Sequence, residues 1–296
     1  MRRKCFIVGP TASGKSAVAA ELAHLLGSSV INADAYQVYQ GLETISAAPE
    51  ESELARAPHE LFSFVPAQQE WDAHQHRQAA LPLLSSADAP PAVITGGSGL
   101  YIKFLSHGPS DLPQSDPQIR RELDQLDLTD LVERLRQLDP IAAETTDPHN
   151  RRYLTRNIEI SLLSGRPVSE LNDKSWKPEL QAGTLGFYLE WERDELVKRI
   201  EQRTHQMLSA GAIEEVAALQ SPSATCAKAI GVTQIQAYLK GEISREKCAE
   251  LITIATRQYA KRQRTWFRRE SQWLSAIPIS SDSSPATIAQ KIADSL

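Results

Sequence analysis

The sequence has no long apolar run: stretches such as Cys5 to Val8 and Pro91 to Ile94 fall far short of the roughly 20 residues that cross a bilayer. No membrane span is expected. The opening segment MRRKCFIVG has basic residues but only four apolar ones before a Gly-Pro pair, too few for a signal-peptide core, so the reading places the protein in the cytoplasm. Cysteine is scarce: Cys5, Cys226 and Cys248 are widely spaced, which excludes a disulfide framework and a paired-cysteine metal site. There is no fixed-period repeat and no low-complexity block. Nor is there an overall basic excess, since the net charge is -5. What remains is 296 residues at 41% hydrophobic content, enough to bury the core of one large domain with an insertion.

Against those absences one motif stands out near the N-terminus. Lys4 to Val8 is an apolar run of strand length, Ala17 to Leu26 carries apolar residues at helical spacing, and between them Gly9, Pro10, Thr11, Ala12, Ser13, Gly14, Lys15 and Ser16 spell GPTASGKS. Glycine lets the backbone turn its N–H groups toward one centre, and the helix N-terminus adds partial positive charge, so anionic oxygens bind there. Lys15 supplies a point charge to the outer phosphate, and the Ser16 hydroxyl suits a Mg²⁺ ligand. The motif is strong for a diphosphate or triphosphate and silent on which one.

Val30 to Asp34 reads as a second strand ending in an acid, the edge where open α/β sheets place ligands. Taken alone, Asp34 reads equally well as a helix cap. Gly96 to Tyr101 follows the apolar strand Ala92 to Thr95 and opens another helix, a second strand-to-helix turn with room for a ligand or simply turn chemistry. Near the C-terminus, Arg257, Lys261, Arg264 and Arg268 recur at i, i+4, i+7 and i+11, which puts four cations on one helical face with Tyr259, Trp266 and Phe267 interleaved. That face is a phosphate track or a solvated face over an aromatic core. The predicted architecture is α/β: a P-loop NTPase-like parallel sheet core over 1–111 and 183–296, with a helical insertion domain over 112–182 marked by Pro140, Pro148, Pro167 and Pro178.

GPTASGKS, then INADAYQVYQGLE, GGSGLYIKFL, AIGVTQIQAYLKGEIS and TRQYAKRQRTWFR resemble, in order and spacing, the tRNA dimethylallyltransferases, also called tRNA isopentenyltransferases. The resemblance runs nearly end to end. It implies transfer of a dimethylallyl group from dimethylallyl diphosphate to the N6 amine of the adenine adjacent to the anticodon in tRNA, with Mg²⁺. It also implies roles: Asp34 as general base, Arg203 on the diphosphate, and Ser98 facing the reacting centre and the tRNA. Further contacts to tRNA would come from Asp34, Ala35, Tyr36 and Gln37, from Gly99, from Arg152, Tyr153, Leu154, Thr155 and Arg156, and from Lys228, Ala229, Ile230, Gly231, Val232 and Thr233. A monomer is expected. The chemistry makes the residue types intelligible: an adenine amine is a poor nucleophile that benefits from a proton acceptor, and a leaving diphosphate benefits from cations.

The match is imperfect in places. Ala48 stands where the family usually shows lysine, His76 where an aromatic is usual, and Val232 where a tyrosine is usual. His74 and His76 read as surface drift, since no third ligand for a metal accompanies them. Rival readings are a small-molecule kinase, an enzyme that prenylates free adenine nucleotides, and an RNA-binding protein without catalysis. The late basic helix argues against the first two, and intact Lys15, Ser16 and Asp34 against the third.

Overall fold

A computed structural model describes residues 2–172 and 180–296. The described residues fall into two compact units, Met1–Ser106 with Gln181–Leu296, and His107–Leu180. The sequence-predicted break at Pro178 lies outside the described residues.

The larger unit is built on six strands: β1 (Lys4–Val8), β2 (Val30–Asn32), β3 (His59–Glu60), β4 (Ala92–Gly96), β5 (Thr184–Trp191) and β6 (Leu274–Ile279). They form one sheet in the order β3-β2-β4-β1-β5-β6, and every pairing is parallel. A parallel sheet covered on both faces needs apolar side chains on both, which is why KCFIV and AVITG read as near-continuous apolar runs. Alternation then divides them. Cys5 and Ile7 pack with Val18, Leu22, Val93 and Leu189 on one face, and Phe6 and Val8 pack with Ile31, Ile94 and Ile102 on the other.

Three loops leave the carboxyl ends of the adjacent strands β2, β4 and β1, the edge where such sheets gather ligands. The loop after β1 enters the helix Lys15–Leu26, and the loop after β4 enters the helix Gly99–Ser106. Two long helices, Arg193–Ser209 and Arg245–Arg269, also belong to this unit. They bury Leu196, Ile200, Met207, Cys248, Ile252, Ala260 and Phe267 at helical spacing.

The smaller unit is helical. Its helices Pro117–Asp124, Leu128–Leu138, Pro140–Thr145 and Arg151–Ser164 each start on a side-chain cap, from Asp116, Asp127, Asp139 and Asn150 respectively. Leu123, Leu131, Leu135, Leu154, Ile158 and Val168 form its core. At its centre the Glu159 carboxylate, fully buried, accepts from Ser115 Oγ (2.7 Å), the Asp116 N–H (2.8 Å) and Arg156 (2.6 Å). Burial alone would raise its pKa, but Arg156, Ser115 and Arg120 outweigh that and hold the carboxyl below its ordinary value.

Candidate functional site

The loop Gly9 to Ser16 holds its shape through backbone geometry that its residues permit. Gly14 sits at φ 79° as N-cap of the following helix, and Ala12 also takes a left-handed φ of 64°. Three side chains brace the loop from the helix Arg193–Ser209 and from β5. Trp191 Nε1 donates to the Ser13 carbonyl (2.9 Å), Arg199 Nε to the Ala12 carbonyl (2.8 Å), and Arg203 Nη1 to Thr11 Oγ1 (3.1 Å). The Arg199 guanidinium stacks 4.5 Å from the centre of the Trp191 ring. Lys15 is buried, and burial pushes its ammonium down to about 8, with Asp34 acting against that shift and Arg203 adding to it.

Asp34 stands just past β2, fixed on both sides. Its backbone N–H donates to Asn32 Oδ1 (2.8 Å). Its carboxylate accepts from the Tyr36 N–H at 3.0 Å and the Gly97 N–H at 3.3 Å. The neighbouring Ser98 Oγ accepts from the Ala35 N–H (2.9 Å), so the two loops after β2 and β4 are laced together. Gly96 has a steric reason for being glycine: an added Cβ would lie 2.2 Å from the Ala33 carbonyl oxygen. The burial of Tyr259, together with the Asp34 carboxylate, raises its hydroxyl pKa, with Ser98 acting against that shift.

Thr11, Ala12, Gly14, Lys15, Ser16, Asp34, Tyr36, Gln37, Arg203 and Tyr259 line a single cleft of about 1030 Å³. Of the segment Lys228 to Thr233, Ala229 and Ile230 also line it. The geometry therefore gathers the Lys15 loop, Arg203 and a carboxylate in one space. The cation stripe of the helix Arg245–Arg269 falls one residue, or about 100°, around from the buried stripe Ala260, Gln263 and Phe267. Arg257, Lys261 and Arg268 are exposed and Arg264 is half-buried. Arg268 is 3.7 Å from Glu190, a mostly exposed pairing of little weight.

The other positions singled out in the sequence differ in burial. Leu154, Ala229 and Val232 are buried in hydrophobic cores. Arg152 and Tyr153 are exposed, Thr155 is buried, and Arg156 is committed to Glu159 and to the Pro113 carbonyl (2.6 Å). Gly99 is packed against Trp266, whose ring lies 2.6 Å from where a Cβ would be, and Gly231, at φ 108°, lies against Ile45.

His76 is not surface drift. It is wholly buried, its Nε2 lies 2.7 Å from the Asn32 carbonyl oxygen, and its ring sits 4.9 Å from that of Tyr101. Burial drives its pKa down to about 4, against the opposing pull of the Asn32 carbonyl. Between about 4 and the ordinary 6.5 the unfolded chain therefore binds more protons, and stability falls as pH drops through that window. His76→Gln keeps a donor for Asn32 and removes the titration. Urea denaturation at pH 7 and pH 5 is expected to show a smaller acid loss in this variant than in the parent protein.

Four contributors escaped the sequence reading: Asn32, Trp191, Arg199 and Gln263. The last donates from Nε2 to the Gly97 carbonyl and accepts from the Thr11 N–H, both at 2.8 Å. Its one signal was its place in the buried stripe Ala260, Gln263, Phe267.

Comparison with known proteins adds the lineage. Residues 37–270 match the family described as IPP transferase, and residues 3–62 match that described as isopentenyl transferase. A tRNA dimethylallyltransferase of Akkermansia muciniphila is 43% identical over 98% of this chain and 98% of its own length. Another, of Hyphomonas neptunium, is 40% identical over 94% of this chain and 92% of its own. Among solved structures, a tRNA delta(2)-isopentenylpyrophosphate transferase of Staphylococcus epidermidis superposes with a TM-score of 0.67 at 28% identity, covering 100% of this chain and 98% of that one. A eukaryotic dimethylallyltransferase acting on tRNA shares the fold, with a TM-score of 0.82 at 23% identity over 99% of this chain and 78% of that one. Matches at these identities over nearly the whole length mean that the chain belongs to the IPP transferase family, the tRNA dimethylallyltransferases.

Proposed function

We propose that this enzyme transfers the dimethylallyl group of dimethylallyl diphosphate to the N6 amine of the adenine adjacent to the anticodon in tRNA, giving N6-dimethylallyladenosine. The observation that carries the reading is the single cleft shared by the loop Gly9 to Ser16, Arg203 and the Asp34 carboxylate. The amine lone pair forms the new C–N bond at the allylic carbon as the C–O bond breaks, and the diphosphate departs with that electron pair. The proton released from nitrogen passes to an Asp34 carboxylate oxygen. Lys15, Arg203 and the loop amides stabilise the negative charge growing on the leaving group.

Among the described residues no group of three or more His, Cys, Asp or Glu gathers to hold a metal. The Ser16 hydroxyl lines the cleft beside Lys15, and a hard oxygen donor of that kind suits Mg²⁺, which keeps several waters and relies on substrate phosphates. Bound there, Mg²⁺ would neutralise charge on the diphosphate.

The tRNA is held, on this reading, by the Tyr36 and Gln37 loop, by the Lys228 to Thr233 segment, by exposed Arg152 and Tyr153, and by the stripe Arg257, Lys261, Arg264 and Arg268. The target adenine must be unstacked, which an anticodon loop allows at low cost. The family and the absence, among the described residues, of any helix long and apolar enough to cross a membrane fit a cytoplasmic enzyme.

Protein, Mg²⁺, dimethylallyl diphosphate and unmodified tRNA are incubated together, and mass spectrometry is used to seek a five-carbon addition on an anticodon-loop adenine. Phosphate transfer from ATP without prenylation would overturn the proposal. Arg264→Ala and Arg268→Ala are each expected to weaken tRNA binding and to reduce the slope of log K against log salt by about 0.7 to 0.9 per lost phosphate contact. Binding titrations at four salt concentrations check this, and an unchanged slope returns the stripe to a solvated face.

A further inference from the structure

Gln263 is a polar side chain only 5% exposed, on the cleft side of the helix that carries the cation stripe. Burying a primary amide is costly unless its groups are paired, and here both ends are. Oε1 accepts from the Thr11 N–H at 2.8 Å, and Nε2 donates to the Gly97 carbonyl at 2.8 Å. The two partners belong to different loops. Thr11 is in the phosphate loop, where its Oγ1 also accepts from Arg203. Gly97 follows β4, and its own N–H donates to an Asp34 carboxylate oxygen at 3.3 Å.

The connection is thus continuous: Arg203 to Thr11, Thr11 to Gln263, Gln263 to Gly97, Gly97 to Asp34. Space at Gly97 is shaped to it, since an added Cβ would lie 2.2 Å from Gln263 Nε2 and 3.4 Å from Asp34 Oδ2. We propose that Gln263 is a positioning residue that fixes the distance between the diphosphate-binding loop and the Asp34 carboxylate, holding the donor's allylic carbon and the acceptor amine in register. It touches neither reactant and acts through the two loops. The inference rests on the function proposed above.

The amide is chosen by the chemistry of its two bonds. A carboxylate could accept from Thr11 but could not donate to Gly97, and its charge would sit beside a carbonyl and near Asp34. A protonated carboxyl, with one C=O and one O–H, could do both. Gln263→Glu therefore carries its own switch. Displacing reacting groups by about 1 Å can cost on the order of 10²-fold in rate, which sets the scale of loss expected.

The test uses the full-length protein with unmodified tRNA, dimethylallyl diphosphate and Mg²⁺ in single-turnover experiments, together with equilibrium binding of inorganic diphosphate and of tRNA. Gln263→Leu and Gln263→Glu are both expected to slow transfer by about 10- to 100-fold at pH 8. Diphosphate binding should weaken by about tenfold, since the Thr11 end of the loop loses its tether. Affinity for tRNA should stay within twofold, because the cation stripe is untouched. The ratio of the Gln263→Glu rate to the wild-type rate should rise as pH falls from 8 to 5.5, which a packing role would not produce. Where Gln263→Leu fails to fold, the glutamate variant and its pH ratio decide alone.

A pH-independent ratio, rates within threefold of wild type, or a loss confined to tRNA affinity each overturn the inference while wild-type transfer leaves the function standing. Absence of transfer by the wild-type protein overturns the function instead. In that case diphosphate affinity still decides on the tether: weakening in both variants supports it, and unchanged affinity rejects it.

Discussion

Replacing Asp34 by alanine is expected to slow prenyl transfer by about 10²- to 10⁴-fold, the usual range for removing a general base. Binding of tRNA should be nearly unchanged, because the cation stripe and the loops around it remain. The carboxylate accepts from the Tyr36 and Gly97 N–H groups, so alanine also leaves two donors in a part-buried loop without partners. That omission costs on the order of 1–3 kcal/mol per buried group and would show as a lower melting temperature.

Asp34→Asn separates the two effects. Its amide oxygen can still accept from one N–H, so the loop is largely kept, yet it cannot take a proton from the amine. Equal single-turnover losses in both variants would assign the loss to proton acceptance. A wild-type rate in the asparagine variant would remove Asp34 from the role of base and leave it as a loop organiser.

Much of the core that holds this site was legible because it rests on local rules. An apolar run followed by GPTASGKS and a helical pattern admits one arrangement, and KCFIV became β1 with its alternate residues on opposite faces. By contrast β3, His59–Glu60, is two half-buried residues whose strand character comes from pairing with β2 and from nothing in its own composition. Residues assigned as contiguous contact segments differ in exposure for a related reason. On the helix Arg151–Ser164 every third or fourth side chain turns inward, so Leu154 is core while Arg152 and Tyr153 are exposed.

His76 and Gln263 show the other limit. Periodicity marks which positions face inward, but a buried polar residue is justified only by partners from distant sequence. For His76 the partner is the Asn32 carbonyl, 44 residues away, and for Gln263 they are Thr11 and Gly97. Composition could count those residues without placing them. That Asp34 and Arg203 share a cleft with the loop Gly9 to Ser16 likewise depends on packing between distant segments.

Lys15→Met is expected to slow transfer while making the ligand-free protein more stable at neutral pH. Burial lowers the lysine from 10.5 to about 8 in the folded protein, so between these values the unfolded chain holds the proton and the folded one does not. Stability rises with pH across that window, and the cost of the buried charge is complete below about 8. Methionine fills similar volume without the charge. Its stabilising effect should be largest at pH 7 and vanish as pH approaches 10.5, which thermal melts at the two values would show.

The rate moves the other way. Losing the cation that stabilises the departing diphosphate should cost about 10²- to 10³-fold, the usual effect of deleting one preorganised donor. In the wild-type enzyme kcat/KM for the donor should fall above about pH 8, because free enzyme then lacks the proton on Lys15. The limb in kcat should lie higher, since a bound diphosphate favours the charged form. A donor profile flat to pH 10 would mean that Lys15 keeps its ordinary pKa, and with it the stability gain of the methionine variant would disappear.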